Sequence, residues 1–365
     1  MPEPPSGKPL GSILSAWITE QSISIELQQQ LEAMLLADRR QAKAFGITPD
    51  NVSAIVDQRL HQVRSIYPTL CSTCRDQLGW ATCPLDWLWT LWLPLATLIA
   101  HWHEEQGNTL IQGILGGQGT GKSTLALILA HILNRLGRQV CRLSLDDLYN
   151  PYADRLQLQQ HDPRFRWRGP PGTHDVDLGL MTLQQLRQAD AHQPVQVPRF
   201  DKSAQNGAGD RTQPDWVSGV DIVLFEGWFV GVRPIDPSQF ETAPPPIETA
   251  ADRAFARDVN ARLQNYLPLW QQLDRLIVLL PEDYHLSQQW RRQAEQQMIA
   301  SGRSGMSDAD IDAFVEYFWR SLHPELFITP LVEDARYVDL VIEINADHLP
   351  SAVYRPGDQA SRYQG

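Results

Sequence analysis

The 365-residue chain predicts an α/β protein: a doubly wound, mainly parallel sheet with helices on both faces, plus a helical N-terminal region. Three observations carry that prediction. From residue 109 onward, short β-branched and aliphatic runs alternate with helical stretches, as strands joined by crossover helices do. The first run, "TLIQGILGG", ends in glycines and leads at once into "KSTLALILAHILNRLG", an apolar helix stopped by Gly137. The first 105 residues instead place their apolar residues at helical spacing.

In chain order, "SAWITEQSISIELQQQLEAMLLADRRQAKAFG" reads as helix with Gly46 as its stop, and Thr48 and Pro49 open the next. The apolar run "WLWTLWLPLATLIA" has 14 residues and contains Pro94. A membrane span needs about 20, so a buried helix is expected. After the first strand come "QVCRLSLDDLY", "QPVQVPRF", "VDIVLFEG", "LDRLIVLLP" and "YVDLVIEI" as strands two to six, with helices over 283–301 and 308–322. The expected division is 1–105 helical, 106–350 a nucleotide-binding domain with a lid over about 286–307, and 351–365 a tail.

Net charge is −12, from 31 Lys and Arg against 43 Asp and Glu. That argues against a nucleic-acid partner. The start, "MPEPPSGKPLGS", has no signal pattern, so a cytoplasmic protein without a membrane partner is expected. Cys71, Cys74, Cys83 and Cys141 read as packing thiols, since their spacing matches no familiar zinc pattern; a metal or redox role for Cys71, Cys74 and Cys83, with His101 and His103 as further ligands, is the alternative.

"GGQGTGKST", residues 116–124, matches G-x-x-x-x-G-K-[ST] and sits where that motif must, after a buried strand and opening a helix. Gly116, Gly117, Gln118, Gly119, Thr120, Gly121, Lys122, Ser123 and Thr124 would curl around phosphates, pointing backbone N–H groups inward. Lys122 would reach the outer phosphates and the Ser123 hydroxyl would ligate Mg²⁺. A P-loop NTPase fold binding ATP or GTP follows.

Ligands in such sheets sit beyond the carboxyl ends of the strands. Two strand ends there carry acids: Asp146 and Asp147 in "SLDDLY", and Glu226 in "VLFEGW". One is expected in the Mg²⁺ shell and one to take an acceptor's proton; strand-end turn chemistry is the alternative.

With "GGQGTGKST", "SLDDLY", "RGPPGTHD", "VPRFDKS" and "LFEGW" in that order, the chain resembles the phosphoribulokinase, uridine kinase and pantothenate kinase superfamily of P-loop kinases. Within it, the plant and cyanobacterial D-glycerate 3-kinases are most similar. Leu148 replaces the commoner Phe, and Pro170 and Pro171 the smaller or amide residues usual there. The resemblance implies ATP and Mg²⁺, D-glycerate as acceptor, and Asp146 as general base. It also puts Ser123, Asp146 and Glu226 around the metal.

The acceptor side would then hold Asp147, Tyr149, Arg168, His174 and Asp175, with Arg199, Lys202 and Arg211 supplying positive charge for a carboxylate. Helix capping is the alternative for Asp175, and a solvated patch for the cations. A nucleoside or pantothenate-like acceptor, or a nucleotide-dependent switch protein, stays open. Arg291 in "QQWRRQAE" would act from the lid on the transferring phosphoryl group.

Overall fold

The computed structural model describes residues 9–20, 24–189, 192–300 and 306–358. The chain divides into two units, Met1–Gly107 with Thr124–Gln139, and Asn108–Ser123 with Val140–Gly365.

In the first unit the long helix Val52–Leu78 buries Val56, Leu60, Val63, Ile66, Leu70 and Cys74. Their three- and four-residue spacing makes one apolar stripe. The stretch Leu88–Trp92 is a π-helical turn that runs into the helix Leu93–Gln106, with Pro94 in its first turn. No helix of the described residues is long and apolar enough to cross a membrane. Burial pushes the Cys74 and Cys83 thiols up, as in unreactive packing cysteines. Among the described residues no group of three or more His, Cys, Asp or Glu could hold a metal ion.

The strands of the second unit are β1 (Leu110–Gly116), β2 (Val140–Ser144), β3 (Val195–Asp201), β4 (Asp210–Val217), β5 (Ile222–Gly227), β6 (Arg275–Pro281), β7 (Leu340–Ile344) and β8 (Pro350–Tyr354). One sheet runs β2-β5-β1-β6-β7-β8. β1 lies between parallel β5 and β6, and is buried at every position. That explains its unbroken apolar run. Two expectations are corrected. The third expected strand leaves the sheet to pair antiparallel with β4, a strand whose run "DRTQPDWV" is mostly polar. The expected tail contains β8, which pairs antiparallel with β7. The chain leaves β1 toward β2 on one side and reaches β6 and β7 on the other, so the crevice opens at the carboxyl ends of β1 and β5.

Candidate active site

The phosphate loop joins β1 to the helix Lys122–Arg135. Gly119 has φ +79°, and a Cβ there would come within 2.7 Å of Trp290 Cβ, so glycine is required twice over. The Trp290 indole donates to the Ala346 carbonyl at 3.0 Å and stacks on His348 at 4.5 Å. Sequence reasoning missed both, because they arrive from the helix Leu286–Ala300 and the β7–β8 turn and carry no motif. The Lys122 ammonium lies 3.4 Å from the Gly117 carbonyl.

At the foot of the loop the Ser123 hydroxyl donates to Glu226 Oε1 at 2.8 Å. Glu226 ends β5 and is buried, and its Oε2 has no hydrogen-bond partner. A buried carboxylate oxygen without a donor is costly. A hydroxyl and a carboxylate with spare lone pairs are the hard oxygen donors that Mg²⁺ takes, with phosphate oxygens and water filling the rest. The residues present fit that ion.

β2 turns out of the sheet at Ser144, whose hydroxyl accepts from the Asp146 N–H at 3.2 Å while Asp147 Oδ2 accepts from the Ser144 N–H at 2.9 Å. Leu145 and Leu148 anchor the turn in the core. Asp146, between them, reaches Lys202: Nζ to Oδ2 is 2.7 Å. Tyr149 is buried nearby, and burial together with the negative charge of Asp146 pushes its pKa well up. Burial works to raise the Asp146 pKa, but Lys202, Lys122 and His174 outweigh it and hold it below the usual carboxylate range. Burial likewise opposes the charge of Lys202, and Asp146 and Glu226 outweigh it, keeping that pKa high.

His174 is 6% exposed, and burial pulls its pKa down to about 3. Tyr266 accepts the Gly172 N–H at 2.9 Å and stands 2.9 Å from His174 Nδ1. The contact with Nδ1 fits either direction of donation; where the hydroxyl donates to Nδ1, the imidazole carries its hydrogen on Nε2. Nε2 is buried without a partner. Tyr149 stacks on the imidazole at 4.5 Å.

Several of the expected acceptor ligands have partners within the protein. Asp147 takes the Ser144 and Phe200 N–H groups and Arg199 Nη1, at 2.9, 3.2 and 3.2 Å. Arg199 also binds Asp215 at 2.7 Å. Asp175 caps the helix Val176–Gln188 through the Leu178 N–H, and its other oxygen holds Arg211 at 2.8 Å. All four fasten β3, β4 and the helix start around Asp146. Arg168 differs: it donates to the Gly207 and Ala208 carbonyls, both at 2.9 Å, and pairs with no carboxylate among the described residues. Arg155 bonds the Asn150, Ala208 and Gly209 carbonyls in the same way and was not foreseen.

Arg291, expected to act from the lid, has partners of its own. Its guanidinium pairs with the buried Glu295 at 3.1 Å and lies over the Phe314 ring at 5.5 Å. Residues 301–305 of the expected lid lie outside the described residues. A cavity of about 810 Å³ opens beside Gly116, Gly117 and Gln118, walled by Trp228, Tyr284 and Phe318. It is lined by none of the Asp146 partners.

Groups so arranged can cradle a nucleoside triphosphate and take a proton from a hydroxyl beside its last phosphate, the work of a P-loop kinase. No protein-family model matches the chain. It is 33% identical over 223 residues to an uncharacterized kinase of Schizosaccharomyces pombe, 59% of this chain and 80% of that one. It is 30% identical over 254 residues to the chloroplastic D-glycerate 3-kinase of Arabidopsis thaliana, 66% of this chain and 54% of that protein, so it spans about half of that relative. The solved D-glycerate 3-kinase of Cryptococcus neoformans superposes with TM-score 0.66 at 27% identity, over 73% of this chain and 99% of that one. The chain belongs to this family of ATP-dependent P-loop small-molecule kinases.

Proposed function

We propose that the chain is a D-glycerate 3-kinase, cytoplasmic and Mg²⁺-dependent, converting ATP and D-glycerate to ADP and 3-phosphoglycerate. The observation that carries the reading is the Asp146–Lys202 pair at 2.7 Å, with the names of the Arabidopsis and Cryptococcus relatives in support. Asp146, ionised at neutral pH, accepts the proton of the 3-hydroxyl. That oxygen bonds to the γ-phosphorus as the bond to the β,γ-bridging oxygen breaks and ADP departs. Lys122 and Lys202 offset charge on the equatorial oxygens. Mg²⁺, when bound, neutralises the phosphates, and Ser123 and Glu226 are the residues that hold it.

Arg168 is the cation for the acceptor carboxylate, because the other candidates are already engaged by Asp146, Asp147, Asp175 and Asp215. Its planar fork suits a carboxylate, and it is close enough to bias the charge of Lys202. His174 Nε2–H is a donor for an acceptor hydroxyl. Phosphorus NMR of the product tests the reading: 3-phosphoglycerate is expected, and 2-phosphoglycerate or bare phosphate would contradict it.

A further inference from the structure

Within the first unit, lined by none of the residues placed in the active site, lies a cavity of about 460 Å³. Arg59, from the long helix Val52–Leu78, forms part of its wall and is 6% exposed. Its Nη1 donates weakly to the Trp89 carbonyl, at 3.4 Å, and the guanidinium stands 6.0 Å from the Trp89 ring centre. Burial alone shifts its pKa, down to about 10, so it is charged at neutral pH with no carboxylate of the described residues offsetting it. Burying a guanidinium without a counter-charge is strongly unfavourable.

Two other groups on the same wall are also unfinished. Arg138 Nε and Gln62 Oε1 are buried without hydrogen-bond partners. The acids nearby are engaged elsewhere: Glu104 by Arg138 Nη2, and Glu105 by His101 at 3.3 Å. The wall therefore carries two guanidinium groups against one carboxylate, plus an amide that can turn to present either a donor or an acceptor. Ile55, Leu98 and Leu136 make the rest of it apolar. The volume falls in the range of small-molecule sites, about 300–1,000 Å³, and exceeds what a bare inorganic ion fills.

We propose that this cavity is a binding site for a small organic oxyanion, a carboxylate or a phosphate monoester, whose charged end meets the Arg59 guanidinium and whose body lies on the apolar wall. Arg59 makes the paired, charge-assisted hydrogen bonds that a planar fork makes to such a group. Arg138 Nε–H supplies a further donor.

The test uses the full chain carrying Lys122→Ala, which disables the phosphate loop, with thermal unfolding followed against glycerol 3-phosphate and against succinate at constant ionic strength. A saturable rise in Tm is expected with at least one, and which one assigns the phosphate or the carboxylate. Adding Arg59→Met should weaken the apparent affinity about tenfold or more. Thr97→Phe, which fills the cavity and leaves the charge, should weaken it likewise. Without added anion, Arg59→Met should be at least as stable as its parent, because an unpaired buried charge has gone. No saturable rise with either probe, a rise unchanged by both variants, or an Arg59→Met chain less stable in anion-free buffer would overturn the proposal.

Discussion

Lys202 Nζ stands 2.7 Å from Asp146 Oδ2, an ammonium from the β3–β4 ribbon meeting the acid that ends β2. The pair keeps Asp146 ionised at neutral pH, as the proposed role of general base requires. Asp146→Asn keeps the shape and removes the base. Its kcat should fall by about 10²-fold or more, while ATP affinity measured by calorimetry stays within about threefold.

Lys202→Met removes the ammonium that does most to lower the Asp146 pKa. The acid limb of kcat/KM reports the base in the free enzyme and is lost as pH falls through its pKa. With Asp146 as the base, that limb should lie below the ordinary carboxylate value of 3.8 in the wild type. In Lys202→Met it should move to higher pH, toward and past that value. An unmoved limb would show that Asp146 is not the group being titrated.

Ser123 and Glu226 touch at 2.8 Å, with Glu226 Oε2 left over. Glu226→Gln should raise the Mg²⁺ concentration giving half-maximal rate by about tenfold or more, the scale of losing one charged ligand. KM for the acceptor should be little affected. A Mg²⁺ titration at saturating ATP separates the two.

Arg168 and Arg211 look alike in sequence and part in structure. Arg168→Met should raise KM for an acidic acceptor about tenfold or more, with Tm little changed. Arg211→Met breaks the tie to Asp175 at 2.8 Å and to the Tyr149 carbonyl at 3.0 Å. It should lower stability by about 1–2 kcal/mol, read by denaturant unfolding, with a smaller effect on KM.

His174 gives a pH dependence of stability. Its pKa is about 3 when folded, against an ordinary 6.5. Between those values the unfolded chain binds the extra proton, so the contribution is full above pH 6.5 and is lost as pH falls toward 3. The slope contributed is about 1.4 kcal/mol per pH unit inside that window. His174→Gln, which retains a partner for Tyr266, should flatten the slope between pH 6 and 4.

The nucleotide half of the site was legible in the sequence because its chemistry is local. Nine consecutive residues, 116–124, form the loop, and Glu226 closes an apolar run that had to be a central strand. The acceptor half was legible only in outline. Asp175 followed by a helical pattern read as an acceptor ligand with a cap as the alternative, and in the structure it caps the helix Val176–Gln188. Arg199 and Arg211 read as charge for an acidic acceptor because their partners, Asp215 across the β3–β4 pairing and Asp175 at the start of the helix Val176–Gln188, meet them only through the tertiary fold. β4 itself was missed: "DRTQPDWV" has few apolar residues, since the ribbon is not buried on both faces. Trp290 lay inside the lid run "QQWRRQAE", but nothing there or at His348 signalled nearness to Gly119, which is a matter of tertiary structure alone.

The central claim is tested most directly by ATP consumption, measured with D-glycerate, L-glycerate, uridine, pantothenate and ribulose 5-phosphate, in the wild type and in Asp146→Asn. The account predicts that D-glycerate stimulates turnover well above the other four, and that Asp146→Asn abolishes the stimulation. Turnover driven by uridine or pantothenate instead, or an Asp146→Asn enzyme that still responds to D-glycerate, would contradict it.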